Sequence, residues 1–418
     1  MSARRAMFRA FRHRNFALFF AGQSLSMVGW WVQQIATGWL IYEMTGSALW
    51  LGLLAFASNV PVLLLSPLAG WWADHANRHW LMLASQVLEG LQALVLVALI
   101  ASGWLEPWHL LLLGALLGSF VALELAVRQP YLLDLVGGKE DLPNAVTLTA
   151  VMGQAGRLIG PSIGGLLIAA AGPLACFALN ACTYVLVVAS LLMIRVPARR
   201  GGSGGATLLA GLAEGLRHAW RSYPIRTLLS TLAIVSLMAM PYQALMPAFV
   251  GLVYQGDART LGFLVGASGL GALLAGLYLS GRPGIGGTLR LMTVALAVLG
   301  SALLLYSQSA WLPASLALMI VVGCSSVLTT LPINLIMQSL VDDDKRGRVM
   351  SLYTTLFLGV TPLGALALGA LAEAFGPRIA LAAGGTACVL GALRLAAVRR
   401  RLRREMKAVL EPIGAALP

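Results

Sequence analysis

Long apolar runs separated by short polar or glycine–proline breaks recur along this chain. Twelve can be read, at roughly 16–42, 48–72, 79–101, 107–129, 145–171, 174–194, 226–250, 258–280, 288–308, 312–338, 348–372 and 378–398. Each approaches the ~20 residues that a helix needs to cross a ~30 Å hydrocarbon core. Barrel strands are shorter and alternate in polarity, so the pattern predicts helices. The fold class expected is an all-α integral membrane protein with twelve transmembrane helices.

The breaks divide the chain in two. A linker, Pro197 to Thr207, carries Arg199-Arg200-Gly201-Gly202-Ser203-Gly204-Gly205, a flexible polar composition. From Leu208 to Tyr223, Leu209, Leu212 and Leu216 oppose Glu214, Arg217 and Arg221, which predicts a surface helix. The segments on either side repeat one another. Pro161 in run five answers Pro362 in run eleven, and Gly172-Pro173 answers Gly376-Pro377. Lys139-Glu140-Asp141 before run five answers the charged stretch Asp342 to Arg346 before run eleven. A parallel duplication of two six-helix bundles follows, with a substrate path between them. The boundaries expected are an amphipathic N-terminus at 1–15, bundles at 16–195 and 225–398, a cytoplasmic linker at 196–224, and a basic tail at 399–418.

Composition agrees: 59% of residues are hydrophobic and 11% charged, with a mean hydropathy of +0.83, which excludes a soluble globular protein. The net charge of +13 would suit nucleic acid, but its placement argues otherwise. Of the 29 Lys and Arg, all but Arg157, Arg259 and Arg378 fall at the termini, in alternate loops or at the run ends bordering those loops, including Arg4, Arg5, Arg9, Arg12, Arg14, Arg78, Lys139, Arg290, Lys345 and the cluster from Arg394 to Lys407. This positive-inside asymmetry predicts that both termini are cytoplasmic, in an inner (plasma) membrane. It makes anionic lipid headgroups the expected partner of the basic ends, with no nucleic acid. The arginine-rich start lacks a cleavage site and leads directly into the first run, so it reads as a lead-in and not a transit peptide. Cys176, Cys182, Cys324 and Cys388 lie inside apolar runs without ligand spacing, so they are expected to be buried small residues, with no metal and no disulfide framework.

Run five holds the densest punctuation: Gly156-Arg157-Leu158-Ile159-Gly160-Pro161-Ser162-Ile163-Gly164-Gly165. Glycine costs about 1 kcal/mol and proline about 3 kcal/mol in an ordinary helix interior. Between packed membrane helices they permit close backbone approach. Gly156, Gly160 and Gly164 form one stripe, a smooth face suited to a sliding or rocking contact. The stretch resembles the antiporter motif of the major facilitator superfamily, glycine-x-x-x-glycine-proline-x-x-glycine-glycine, in the expected fifth helix. The likeness covers nearly the whole chain. Arg12-His13-Arg14-Asn15-Phe16, Gln23-Ser24-Leu25-Ser26, Trp39 to Ser47 and Asn180-Ala181 resemble the siderophore-exporter and macrolide-efflux group. The resemblance implies export of substrate in exchange for protons.

Gly70-Trp71-Trp72-Ala73-Asp74-His75-Ala76-Asn77-Arg78 resembles the superfamily's loop motif, glycine-x-x-x-aspartate followed by a base. A carboxylate capping another helix's N-terminus contributes about 0.3–1 kcal/mol when exposed. The resemblance names the start of run eleven as the partner of Asp74, forming a gating latch with Gly70, Arg78 and Arg128. His75 and His79 replace the usual bases, and Ser280 stands where the second half would repeat the aspartate. Glu124 and Arg128 are spaced for an i,i+4 pair, and Arg78 is expected within reach of the same carboxylate. Glu124 is a gate partner or a proton carrier. Glu89, flanked by Gln86 and Gln92, is a packed neutral acid or a proton carrier, since burial disfavours the charged form. Arg157 is a snorkelling or paired base, or a site for an anionic substrate group.

Cavity candidates are Gln23, Ser26, Trp30, Gln33, Gln34, Asn59, Tyr242, Gln243, Asn334, Gln338 and Tyr353, an aromatic and neutral-polar lining suited to an amphipathic ligand. Gly160-Pro161-Ser162-Ile163-Gly164 matches a nucleophile elbow by letters alone, because it lies in a membrane helix and not on a strand-turn-helix. His75 and His79 lack the glutamate of a metalloprotease pair. With no phosphate-binding loop and no convergent catalytic set, neither an enzyme nor a resident cofactor is expected. The reading is a monomeric proton-coupled antiporter exporting a small amphipathic molecule. An importer, a lipid flippase, or a transporter-like sensor or scaffold are the alternatives.

Overall fold

The computed structural model describes residues 8–196, 217, 220, 222–282, 287–341, 349–350 and 352–410. The expected linker and most of its surface helix, the charged stretch at 342–348, and the last eight residues lie outside these. Among the described residues every regular element is helical. In chain order the α-helices are α1 (Arg14–Thr45), α2 (Ala48–His75), α3 (Arg78–Ala101), α4 (Pro107–Val136), α5 (Leu142–Leu192), α6 (Tyr223–Ile234), α7 (Tyr242–Phe249), α8 (Ala258–Ser280), α9 (Thr288–Gln308), α10 (Leu312–Leu340), α11 (Val360–Phe375) and α12 (Pro377–Leu410). Ten stretches among them are long and apolar enough to cross a membrane.

Local chemistry sets the ends. Proline opens α4, α10 and α12, where its missing N–H is not needed. The 51 residues of α5 would measure about 75 Å as one straight helix, far more than a bilayer core. Gly172 breaks it, at φ 78°, immediately before Pro173. Gly376, at φ 87°, does the same before Pro377 between α11 and α12. A left-handed glycine followed by proline is the same turn used twice, as the internal repeat implies.

The chain packs as two compact units. Unit 1 comprises Met1–Thr45, Ala57–Gly205 and Asp257–Gly266; unit 2 comprises Gly46–Phe56, Ala206–Gly256 and Ala267–Pro418. Within unit 1, α1 lies against α5. The glycine stripe is spent on this joint: a side chain at Gly156 would meet Met27 Cγ at 2.6 Å, one at Gly160 would meet Trp31, and one at Gly164 would meet Val32 Cα at 3.3 Å. Gly165 turns the other way, toward the first turns of α8, where a Cβ would lie 3.0 Å from Gly262 Cα.

Unit 2 has its own close seams. Gly300 on α9 faces Gly385 on α12, and Gly323 on α10 faces the Ser268 backbone of α8. Gly52, in the first turns of α2, meets Ala365 and Gly369 of α11. Three π-helical turns, Val235–Ala239, Val250–Tyr254 and Thr355–Gly359, interrupt this unit's helices, the first two flanking α7. The helix α12 runs to Leu410, so the basic stretch from Arg394 to Lys407 is helical, with Leu402 and Met406 packed beside Leu340, Val341 and Tyr223.

One expectation is corrected. Cys176 and Cys388 are buried, but Cys182 is exposed and Cys324 half-buried. Cys182 lies on the outward face of α5, between the inward-facing Ala181 and Tyr184.

Candidate functional site

The polar side chains of unit 1 converge on a buried network among α1, α3, α4 and α5. On α3 the i, i+3, i+6 spacing of Gln86, Glu89 and Gln92 puts all three on one buried face, and Glu89 is only 2% exposed. Gly90, beside it, lets α5 approach to the point where a Cβ there would sit 3.0 Å from Tyr184 Cβ. The Tyr184 hydroxyl then donates to Glu89 Oε2 at 2.9 Å. Glu89 Oε1 and both amide atoms of Gln86 are buried without a hydrogen-bond partner.

On α4 the expected i,i+4 pair is present: Arg128 binds Glu124 Oε1 at charge-assisted distance. Gln23 of α1 donates its Nε2 to the same oxygen at 2.9 Å. Gln23 is therefore committed to the carboxylate. A second chain of amides crosses the unit. Asn180 Nδ2 donates to Gln33 Oε1 at 2.8 Å, Gln33 Nε2 to Gln92 Oε1 at 3.0 Å, and Gln92 Nε2 to the Leu113 carbonyl at 3.3 Å. Gly29 of α1 leaves room for the α5 side chains, since a Cβ there would meet Asn180 Oδ1 and Thr183 Oγ1 at 2.5 Å. Gln33 is thus buried in this chain.

Arg78 does not join Glu124. It reaches Asp134, at 3.5 Å, near the end of α4. Asp134 is ten residues beyond Glu124, about 15 Å along the helix, so the expected common carboxylate is two separate acids at two levels. Tyr131, between them, has its hydroxyl 2.8 Å from His79 Nδ1. Asp74 is half-buried at the end of α2, beyond Gly70; of the start of run eleven expected to face it, Val349, Met350 and Leu352 are described, whereas 342–348 and 351 lie outside the described residues. Arg157 is half-buried, its Nε shielded from solvent without an acceptor.

Below α5, a short 3₁₀ turn at Arg9–Arg12 docks on its first residues. Asp141, buried, sits 2.6 Å from Arg12, 3.0 Å from Arg9 and 2.8 Å from His13 Nε2. The hydrogen bond from His13, with the Arg12 and Arg9 charges, holds its carboxyl below the ordinary aspartate range against the opposing effect of burial. Ala10 N donates to Asn144 Oδ1 at 2.9 Å.

The remaining cavity candidates are spread over both units. In unit 1, Trp30 stacks edge-on with Trp31 at 5.0 Å, Gln34 is half-buried, Ser26 buried and Asn59 exposed. In unit 2, the Tyr242 hydroxyl is 2.5 Å from that of Ser268 and accepts from Gln243 Nε2 at 3.3 Å. Gln338 donates to Asn334 at 2.6 Å, and the Tyr353 hydroxyl to the Thr330 carbonyl at 3.4 Å. Asp134 and Tyr184 escaped the sequence reading. The i,i+3 spacing of Tyr131 and Asp134 on α4 is a signal that could have found the first. Nothing local marks Tyr184, whose partner lies 95 positions away.

Membrane-length helices, glycine seams and an ionisable network sealed inside one unit describe a multi-pass membrane protein, and the family match makes it a transporter. Residues 5–413 match the family described as transmembrane secretion effectors, and the chain belongs to that family, of the major facilitator type. It is 27% identical over 365 residues to the multidrug efflux pump Tap of Mycolicibacterium fortuitum, covering 82% of this chain and 85% of that one. It is 25% identical over 361 residues to the staphyloferrin A transporter of Staphylococcus aureus, covering 86% and 89%. The fold is similar to that of a bacterial homolog of the human lysosomal transporter Spinster, in an inward-facing, occupied conformation, with a TM-score of 0.74, 14% identity and coverage of 95% and 98%.

Proposed function

We propose that this chain is a proton-coupled antiporter that exports a small amphipathic molecule across a bacterial inner membrane by alternating access. It does so as a monomer of twelve membrane helices in two six-helix bundles, with both termini cytoplasmic. The observation that carries the reading is the pair of buried carboxyls, Glu89 and Glu124, on neighbouring helices of a membrane bundle. An acid inside the membrane is costly unless paired or able to take a proton, and acids retained there mark ion or proton pathways. Efflux of drugs and transport of a siderophore, named for the two relatives, support an amphipathic cargo.

In this scheme substrate enters a central cavity from the cytoplasm, and protonation of a carboxyl shifts the balance between inward- and outward-open forms. The shift can be no larger than the proton's differential affinity for the two forms. A potential of 100 mV supplies about 2.3 kcal/mol per charge moved. The Gly165–Gly262 and Gly52–Gly369 approaches act as the joints that open, while the stripe from Gly156 to Gly164 stays packed on α1. Asp74 with Gly70, Arg78 and Arg128 serves the cytoplasmic gate. The basic face from Arg394 to Lys407 binds anionic lipid.

The test uses everted vesicles acidified by respiration, with candidate substrates chosen by metabolite profiling of a deletion strain against its parent. Antiport predicts that substrate addition raises the lumenal pH. A change of opposite sign marks an importer. No response to any metabolite that the deletion retains argues for a sensor or scaffold.

A further inference from the structure

The geometry points to Glu89, and not Glu124, as the carboxyl that takes up and releases the coupled proton. This assignment rests on the antiport reading and chooses between its two acids.

The two are surrounded differently. Glu124 Oε1 is held by the Arg128 guanidinium and the Gln23 amide, both of them donors aimed at that oxygen. Protonating it would leave Arg128 as an uncompensated cation in an apolar bundle, which is the costly half of any broken buried pair. Glu124 therefore remains the fixed counter-charge of Arg128. Among the described residues no cation lies within ion-pair distance of Glu89. The ionisable groups that face it are Glu124 and Arg128 from α4 and Tyr184 from α5, and of these only the Tyr184 hydroxyl is within hydrogen-bond distance.

A group that cycles between carboxylate and carboxylic acid needs neighbours that serve both forms. A guanidinium only donates, whereas a phenol hydroxyl and a primary amide each donate and accept. Glu89 has one of each on its face of the bundle. Tyr184 donates to Oε2, and Gln86, one turn earlier on α3 and fully buried, has an uncommitted Nε2 and Oε1. Gln86 can donate to the carboxylate or accept from the acid by rotating its amide. The step is a simple proton transfer: an O–H bond forms at a Glu89 oxygen with a proton arriving from one side of the membrane, and that bond breaks toward the other.

The network also gives the proton a mechanical reach. Asn180, one turn before Tyr184 on α5, donates to Gln33 on α1, and Gln33 donates back to Gln92 on α3, one turn beyond Glu89. Reorientation of Tyr184 on protonation is passed to α1, the helix that carries Trp30 and Gln34.

Infrared difference spectra of the purified full-length chain in liposomes test this without a substrate. Over pH about 6 to 9, exposed carboxyls with ordinary values near 4 stay ionised. A carboxylic-acid C=O band that titrates in this range is expected for the wild type, lost in Glu89→Gln and kept in Glu124→Gln. Survival of the band in Glu89→Gln, or no band in the wild type, overturns the assignment. Should Glu89→Gln fail to fold, Glu89→Asp must move the band frequency, and Tyr184→Phe must move its pH midpoint; an unmoved midpoint marks Tyr184 and Glu89 as packing alone and overturns it equally. Failure of the antiport reading looks different, as a wild-type chain silent in the vesicle assay while its titrating band persists.

Discussion

Unit 1 buries Glu89, Glu124 and Asp141 together with Gln23, Gln33, Gln86, Gln92 and Asn180, whereas the buried polar side chains described in unit 2, tyrosines apart, are serines and threonines. The hydrogen bonds differ in kind as well. In unit 1 they run between helices and tie α1, α3, α4 and α5 to one another. In unit 2 Thr293, Ser326, Thr329 and Thr330 bond the carbonyl four residues back on their own helix, and the links between helices are made by tyrosine hydroxyls, Tyr242 with Ser268, Tyr254 with Ser315 and Tyr353 with the Thr330 carbonyl. The three π-helical turns fall in unit 2 as well, and such turns are frequent at functional sites. The two units thus differ in how their helices are tied together. One buries carboxyls and amides that join its helices; the other buries hydroxyls, and π-helical breaks give its helices places to bend.

The sharpest way to break this contrast is to remove one partner from the ion pair of unit 1. Arg128→Met leaves Glu124 buried without its cation, a change that costs about 3–5 kcal/mol. Adding Glu124→Gln should recover much of the loss, because replacing both partners removes the stranded charge. In unit 2, Thr329→Val removes a self-satisfied hydroxyl and should cost about 1 kcal/mol or less. Melting in detergent, followed by size-exclusion chromatography after heating, compares the three. If Arg128→Met melts no lower than Thr329→Val, unit 1 is not held by its charges.

A smaller effect is expected at the seams. Gly323→Ala in unit 2 drives a methyl into the Ser268 backbone, and Gly160→Ala in unit 1 drives one toward the Trp31 side chain and, at 3.1 Å, the Val28 carbonyl. Overpacking of this kind costs about 1–3 kcal/mol. Gly323→Ala should be the worse of the two, because backbone cannot rotate aside. The reverse order, by the same melting assay, would place the compliance of unit 2 in its seams and not in its π-helical turns.

The part of this division that was legible in the sequence is the part that is local. Run lengths gave the membrane helices, Gly172-Pro173 and Gly376-Pro377 gave matching turns, and the four-residue spacing of Glu124 and Arg128 gave the ion pair. Contacts fixed by helix packing were not legible. Arg78 looked free to reach Glu124 until α3 and α4 fixed it opposite Asp134. Tyr184 is one of two aromatics in an apolar run, with Phe177, and nothing in the spacing marks it; the closeness permitted at Gly90 brings it to Glu89. The glycine stripe was legible as a flat face, but the period of four does not say which helix covers it. Nor does sequence signal the π-helical turns.

Within unit 2, Glu373 tests whether its apolar helices have any charged tie at all. Its Oε2 accepts from Ser47 Oγ at 2.9 Å and from Leu49 N at 3.2 Å, capping the exposed N-terminus of α2. Negative charge at a helix start contributes about 0.3–1 kcal/mol, so Glu373→Gln should raise the labelling rate of a cysteine placed at Ala48 by roughly two- to fivefold. An unchanged rate would mean that the Gly52–Gly369 approach holds this joint without electrostatic help.

The smallest effect belongs to the clamp on unit 1. The folded value of Asp141 is depressed, so its contribution is complete above the unfolded aspartate value near 4 and is lost as pH falls through the folded one. Protection of the Ala10 amide, which depends on the docked turn, should be level between about pH 8 and 5 after correction for intrinsic exchange, and should fall below about pH 4. Mass-spectrometric hydrogen exchange on the N-terminal peptide reads it. In Asp141→Asn the same profile should be flat and lower throughout. A wild-type profile that stays level into strong acid would assign the docking of Arg9–Arg12 to Asn144 and the Phe11–Phe16–Phe20 contacts, and the charge-held character of unit 1 would then be confined to its membrane interior.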